Sequence, residues 1–155
     1  MSVMILQDQQ TSGTGGGSAT TGSWETRTLN TVVLNDITGA SLASNVVTLP
    51  AGEYRAEFVA DHLITRETRT RLYDVTNDVV LGMSVNVVAR SEPTSNTKGY
   101  AAARGRCQFT LAGEADVELQ SQVTHAIAGG SGIHYGKPAS FGTEVYVTLY
   151  ITRND

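Results

Sequence analysis

Between Glu144 and Thr152 the chain alternates strictly. Val145, Val147, Leu149 and Ile151 are interleaved with Glu144, Tyr146, Thr148, Tyr150 and Thr152. A two-residue period over this length is a β-strand with two unlike faces. The aliphatic row predicts a face turned to a core. The opposite row carries Tyr146 and Tyr150, amphipathic rings of the kind that gather at protein interfaces. Such a strand predicts a sheet that packs on a core on one side and on copies of the same chain on the other, with Tyr146 and Tyr150 as the contact residues.

The rest of the chain from Trp24 onward reads as strand after strand. Residues 24–34 and 42–49 are extended, and Pro50-Ala51-Gly52 is a turn. Tyr54, Ala56, Phe58 and Ala60 then alternate with Glu53, Arg55, Glu57 and Val59. Residues 67–75 alternate again, and Asn77-Asp78 turns the chain into Val79-Val80-Leu81. Residues 104–111 and 115–126 read as a hairpin across Ala112-Gly113-Glu114. Residues 91–99 and the glycine-rich 127–140 read as loops. No window carries an i, i+3, i+4, i+7 apolar stripe, so no helix is expected. About eight to ten antiparallel strands with turns at short intervals predict an all-β sandwich or barrel. The stretch Leu49-Pro50-Ala51-Gly52-Glu53 echoes Leu111-Ala112-Gly113-Glu114, and two similar turns of this kind suit a double Greek-key jelly roll.

Residues 1–23 stand apart. Val3, Met4, Ile5 and Leu6 form a short apolar patch, and residues 11–23 contain only Gly, Ser, Thr and Ala. A stretch of that composition cannot build a core by itself. It is therefore read as an extended N-terminal arm, 1–23, that docks on a partner, with Val3, Met4, Ile5 and Leu6 filling a pocket. Residues 24–155 are then the jelly-roll domain that packs on copies of itself. Trp24, at the junction, is expected to be partly buried.

Charge and motifs narrow the function. The formal net charge is −4, and only 17% of residues are charged. This provides no electrostatic footprint for nucleic acid. The low charge suits a surface largely buried in an assembly. A single cysteine, Cys107, allows no intramolecular disulfide and alternates with Phe109 and Leu111, which predicts a buried thiol. No secretory signal or membrane-length apolar run is seen. Glycine-rich stretches at 13–18 and 129–137 lack the residues that dinucleotide loops, phosphate loops and nucleophile elbows require. His62, His125 and His134 show no metal-ligand spacing and read as independent polar or rim residues. Asp74, Asn77 and Asp78 read as turn formers. Glu53, Glu57, Glu114 and Asp116 read as solvent-facing. No catalytic residue, metal or cofactor is expected, and the chain is not expected to be an enzyme.

Two resemblances can be placed on particular residues. Leu49-Pro50-Ala51-Gly52-Glu53-Tyr54, Leu111 to Leu119, and Phe141-Gly142-Thr143-Glu144-Val145-Tyr146 resemble the tumour necrosis factor-like jelly roll in their spacing. Over nearly the whole chain, Ile5 to Thr14, Trp24 to Thr31, Thr70 to Thr76 and Phe141 to Tyr146 resemble small virion proteins of tailed bacteriophages. That resemblance implies a homotrimer, made in the host cytoplasm and located in the virion, where it contacts another virion protein such as a major capsid or tail protein. The expected role is a capsid decoration or head fibre docked by the N-terminal arm. The alternative is a tail-fibre or tail-tip module that contacts a host glycan or protein receptor through the 91–99 and 127–140 loops, with Ser131, His134 and Tyr135 as candidate receptor contacts.

Overall fold

The computed structural model describes residues 1–90, 99–128 and 132–154. Among these residues the chain forms twelve strands and no helix. They are β1 (Ser2–Gln10), β2 (Glu25–Thr26), β3 (Thr31–Asn35), β4 (Ser41–Ala43), β5 (Val46–Leu49), β6 (Gly52–Leu63), β7 (Arg66–Asp74), β8 (Val79–Met83), β9 (Val87–Ala89), β10 (Tyr100–Leu111), β11 (Ala115–Val123) and β12 (Glu144–Asn154). Two antiparallel sheets face each other. One has the order β10-β6-β12-β1-β3. The other has the order β4-β5-β11-β7-β8, with β2 added on β11 and β9 on β7. The architecture is the expected all-β jelly-roll sandwich.

Alternation builds the core from both sheets. Tyr54, Ala56, Phe58 and Ala60 on β6 point inward, as do Val117 and Leu119 on β11 and Leu149 and Ile151 on β12. Tyr54 stacks on Phe109 with ring centroids 5.4 Å apart, and its hydroxyl donates to the Pro50 carbonyl at 2.7 Å. Cys107 is half-buried, and burial pushes its thiol up to about 11.

The two similar turns are not hairpins. β10 pairs with β6, whereas β11 pairs with β5 and β7. The turn at Ala112-Gly113-Glu114 therefore carries the chain from one sheet to the other. Pro50-Ala51 does the same between β5 and β6. The expected hairpin is corrected to a corner of the sandwich, and the sequence echo marks two such corners.

The N-terminal segment is also corrected. Residues 2–10 are no arm: they form β1, which lies between β12 and β3 and pairs with both. Met4 and Leu6 are fully buried core residues, and Val3 and Ile5 are half-buried on the opposite face. The apolar patch Val3, Met4, Ile5, Leu6 is therefore a strand of the sheet and is not free to fill a partner's pocket. The expected boundary at residue 24 would cut through the sandwich.

The closing strand departs from strict alternation at one point. Asp8 pairs with Val147 and Gln9 pairs with Val145, so Tyr146 is the extra residue of a β-bulge. A bulge re-aims the side chains on one side of it. Val145 is consequently 43% exposed, whereas Tyr146 is 4% exposed and points inward. From Val147 onward the expected phase holds for Leu149 and Ile151, and Tyr150 faces outward.

Leu6→Ala is expected to cost about 2–5 kcal/mol in denaturant melts, as for other buried leucines. Removing residues 2–10 should abolish the cooperative transition. A cooperative transition near the wild-type midpoint would contradict the placement of β1.

Candidate functional site

One end of the sandwich is closed by backbone that has little side chain of its own. Residues 11–23 cross this end and find their hydrogen bonds within the chain. Gly16 N–H donates to the Gly136 carbonyl at 2.9 Å, Gly17 N–H to that of Gly132 at 3.1 Å, and Gly22 N–H to that of Val123 at 2.9 Å. Glu144 accepts three backbone N–H groups, from Gly13, Ala139 and Ser140, at 3.0, 2.9 and 2.8 Å. These bonds lower its carboxyl below the usual range. Tyr146 donates its hydroxyl to the Thr14 carbonyl at 2.7 Å. Close approach explains the glycines here: a Cβ on Gly16 would lie 2.4 Å from the Tyr135 carbonyl oxygen, and one on Gly136 would meet the Tyr146 ring. The partner that orders this segment is the chain itself.

Beneath the segment lies a buried polar cluster around Arg27, which the sequence reading did not single out. Arg27 is 1% exposed. Its Nη1 donates to the Asp61 carbonyl at 3.1 Å and to Ser121 Oγ at 3.3 Å, and its Nη2 donates to the Tyr135 carbonyl at 3.2 Å. The guanidinium carbon sits 4.2 Å from the centre of the Tyr135 ring. Burial lowers Arg27 to about 10, so it keeps its charge at neutral pH. His62 Nδ1 lies 3.1 Å from the Ala60 carbonyl, which can only accept, so Nδ1 carries the hydrogen and Nε2 is left facing Arg27 Nη1 at 3.5 Å. Burial, then the charge of Arg27, push His62 down to about 3 and keep it neutral. Asp8 is fully buried, and desolvation raises its carboxyl despite the Gln10 amide and the nearby Arg27.

Two of the expected receptor contacts belong to this interior. His134 is 5% exposed; its Nδ1 accepts from Ala19 N–H at 3.1 Å, and its Nε2 faces the Ile127 carbonyl at 3.0 Å. Tyr135 is 6% exposed and donates its hydroxyl to Glu25 Oε2 at 2.5 Å. Neither presents its ring to a receptor. Ser131 and residues 91–98 lie outside the described residues. His62 and His134 are interior residues, and only His125 of the three histidines has the exposed position expected of it. Among the described residues no group of three or more His, Cys, Asp or Glu side chains could hold a metal ion. The cluster fixes loops to strands and offers no accessible reacting group.

The second candidate is the outer face of the five-stranded sheet. Register sets two rows across it. Ile5, Tyr150, Glu57 and Arg106 form one row, and Gln7, Thr148, Val59 and Arg104 form the next. Glu57 and Arg106 form an ion pair at 2.6 Å. A groove of about 670 Å³ runs over Val59, Thr148 and Tyr150 to Val85 at the rim. Tyr150 is 38% exposed and Val85 is 63% exposed. Tyr150 has the outward position expected of a contact residue. Tyr146 does not, because the bulge turns it into the loop end.

No protein-family model matches the sequence, and no curated protein is similar enough to count as a relative. Solved structures match along almost the whole length. Murine APRIL at pH 8.0 aligns with a TM-score of 0.61 at 12% identity, covering 97% of this chain and 98% of that one. The globular domain of zebrafish complement 1qA aligns with a TM-score of 0.56 at 13% identity, covering 99% and 100%. The fold is a jelly roll of the tumour necrosis factor and C1q type. At such identities the likeness shows the fold alone.

Glu144→Gln should weaken the loop end, because an amide keeps a single acceptor oxygen for three N–H donors. A lowered carboxyl contributes stability that is present above its unfolded value and lost as pH falls through its folded value. Acid titration of the melting midpoint should therefore fall less steeply in Glu144→Gln than in the wild type. Parallel curves would contradict this role for Glu144.

Proposed function

We propose that this chain is a non-enzymatic structural module that assembles as a homotrimer through the outer face of its five-stranded sheet, and that it works in a bacteriophage virion. The observation that carries the reading is the row Ile5–Tyr150 beside Val59, an apolar strip on the face of a sheet whose other face already holds the core. Burying one such ring in a subunit contact is worth on the order of 2 kcal/mol.

Val85, 63% exposed, continues this strip past the β10 edge of the sheet. A contact that uses both the face and this rim is heterologous if the rim of one copy meets the face of the next, which closes into a ring when the rotation permits. The trimeric count and the virion setting rest on the sequence resemblance to phage virion proteins. The tumour necrosis factor and C1q type of fold is compatible with both.

Attachment to the particle takes a different form from the one the sequence suggested. With β1 inside the sheet, contact with a capsid or tail protein falls to the surface of the folded domain. A short docking arm was the feature that favoured a capsid decoration or head fibre. Residues 2–23 do not supply one, so they no longer rank that role above the tail-fibre or tail-tip reading, in which the domain also meets a host receptor.

Light scattering of the purified wild-type chain should give three times the chain mass. Tyr150→Ala combined with Val59→Asp should shift it toward monomer while leaving the circular dichroism spectrum unchanged. A wild-type monomer at micromolar concentration would overturn the self-association reading.

A further inference from the structure

The outer face of the other sheet remains open when the five-stranded sheet is buried in self-contact, and it has a different chemistry. Register places Glu67, Arg69, Arg71 and Tyr73 of β7 beside Thr124, Gln122, Gln120 and Glu118 along β11. Glu67, Arg69, Gln122 and Thr124 line a groove of about 330 Å³ together with Gly22 and Asn86. One row along, Arg71 is stacked 4.2 Å from the centre of the Trp24 ring and 4.1 Å from that of Tyr73. Its Nε donates to Gln120 Oε1 at 2.9 Å, which holds the stack in place. Trp24 and Tyr73 stay partly exposed.

We propose that this groove, with the Trp24–Arg71–Tyr73 ledge beside it, binds a neutral oligosaccharide. A pyranose presents hydroxyls that both donate and accept, and an apolar face of C–H groups. The groove supplies both halves of the first requirement. The Glu67 carboxylate accepts, the Arg69 guanidinium donates through a planar fork, and the Asn86 and Gln122 amides do both. Part of this set is already positioned: Thr124 Oγ1 donates to Glu67 Oε2 at 2.6 Å, and Gln122 Nε2 donates to the Gly22 carbonyl at 2.6 Å. The Arg69 and Asn86 side chains are exposed and hold no hydrogen bond to another described side chain, so their donors are available. Arg71 covers one face of each ring, and the parts of Trp24 and Tyr73 that stay exposed supply the second requirement. Glu67 offsets Arg69 within the groove, and the Arg71 guanidinium of the ledge is engaged by the two rings and by Gln120. This inference rests on the receptor-binding reading, refines it, and does not require self-association.

Trp24 is the only tryptophan, so its emission reports on this ledge alone. The full chain is titrated with triacetylchitotriose, maltotriose and lactose, all uncharged, while tryptophan fluorescence is followed. At least one sugar should give a saturable shift in the millimolar range. Arg69→Ala and Asn86→Ala should each weaken that binding about tenfold, the effect of losing one useful hydrogen bond. Both positions are exposed, so both variants should fold, as circular dichroism would confirm. Tyr150→Ala combined with Val59→Asp should bind sugar as the wild type does, which separates this site from the assembly face. No saturable shift with any of the three sugars, or a shift that ignores Arg69→Ala and Asn86→Ala, would overturn the proposal.

Discussion

The pairing of the first strand with the last holds this molecule together. β1 lies between β12 and β3, and Met4 and Leu6 reach the core beside Leu149 and Ile151. This pairing joins the first strand to the last, so the five-stranded sheet is not complete until β12 is made, whereas the other sheet has all its strands by Val123. It also settles what the glycine-rich segment can be. Once residues 2–10 are fixed in the sheet, residues 11–23 must cross from that strand to β2, and they do so over the loop end of the sandwich. Their composition follows from the crossing, because side chains at Gly15 and Gly16 would collide with the backbone of residues 132–135.

Loop closure and the buried charge then depend on each other. A backbone segment with few side chains contributes little apolar area, and ordering it costs about 1–2 kcal/mol per residue. Polar bonds compensate here: the Glu144 carboxylate holds three N–H groups, His134 holds Ala19 N–H, and Arg27 binds the carbonyls of Asp61 and Tyr135. Burying a guanidinium is costly unless its hydrogen bonds are made and its charge is partly compensated. Asp8, Asp61 and Glu25 surround Arg27 and supply that compensation. The described part of the loop end is consequently a hydrogen-bonded polar cap, and the two outer sheet faces remain open to solvent.

Much of the fold was legible in the sequence because alternation is local. The phases of β6, β7 and β11 follow directly from their residues, as does the inward row of β12 after Val147. Three features were hidden, each for a physical reason. β1 was obscured because its third inward position is Asp8, a carboxylate where an apolar residue is expected, and because glycine follows it. Tyr146 was misplaced because a bulge depends on the register of a partner strand at the other end of the chain. The corner turns looked like hairpins because a turn sequence does not specify which sheet the next strand joins. Of the candidate sites, Tyr150 kept the position that alternation gave it, whereas His134 and Tyr135 were read as loop surface. Arg27 gave no local signal, since nothing around it in sequence distinguishes a buried arginine from an exposed one.

The central claim is that the N-terminal segment is structural. Native-state hydrogen exchange tests it most directly, by comparing the amides of Met4, Leu6 and Asp8 in β1 with those of Ala56 and Phe58 in β6. Amides that open only with global unfolding share the same exchange free energy, whereas an arm resting on the surface exchanges far faster. Equal protection of β1 and β6 at low protein concentration, where copies are dissociated, is the predicted result. Rapid exchange across β1 with β6 still protected would contradict the account and restore a mobile arm.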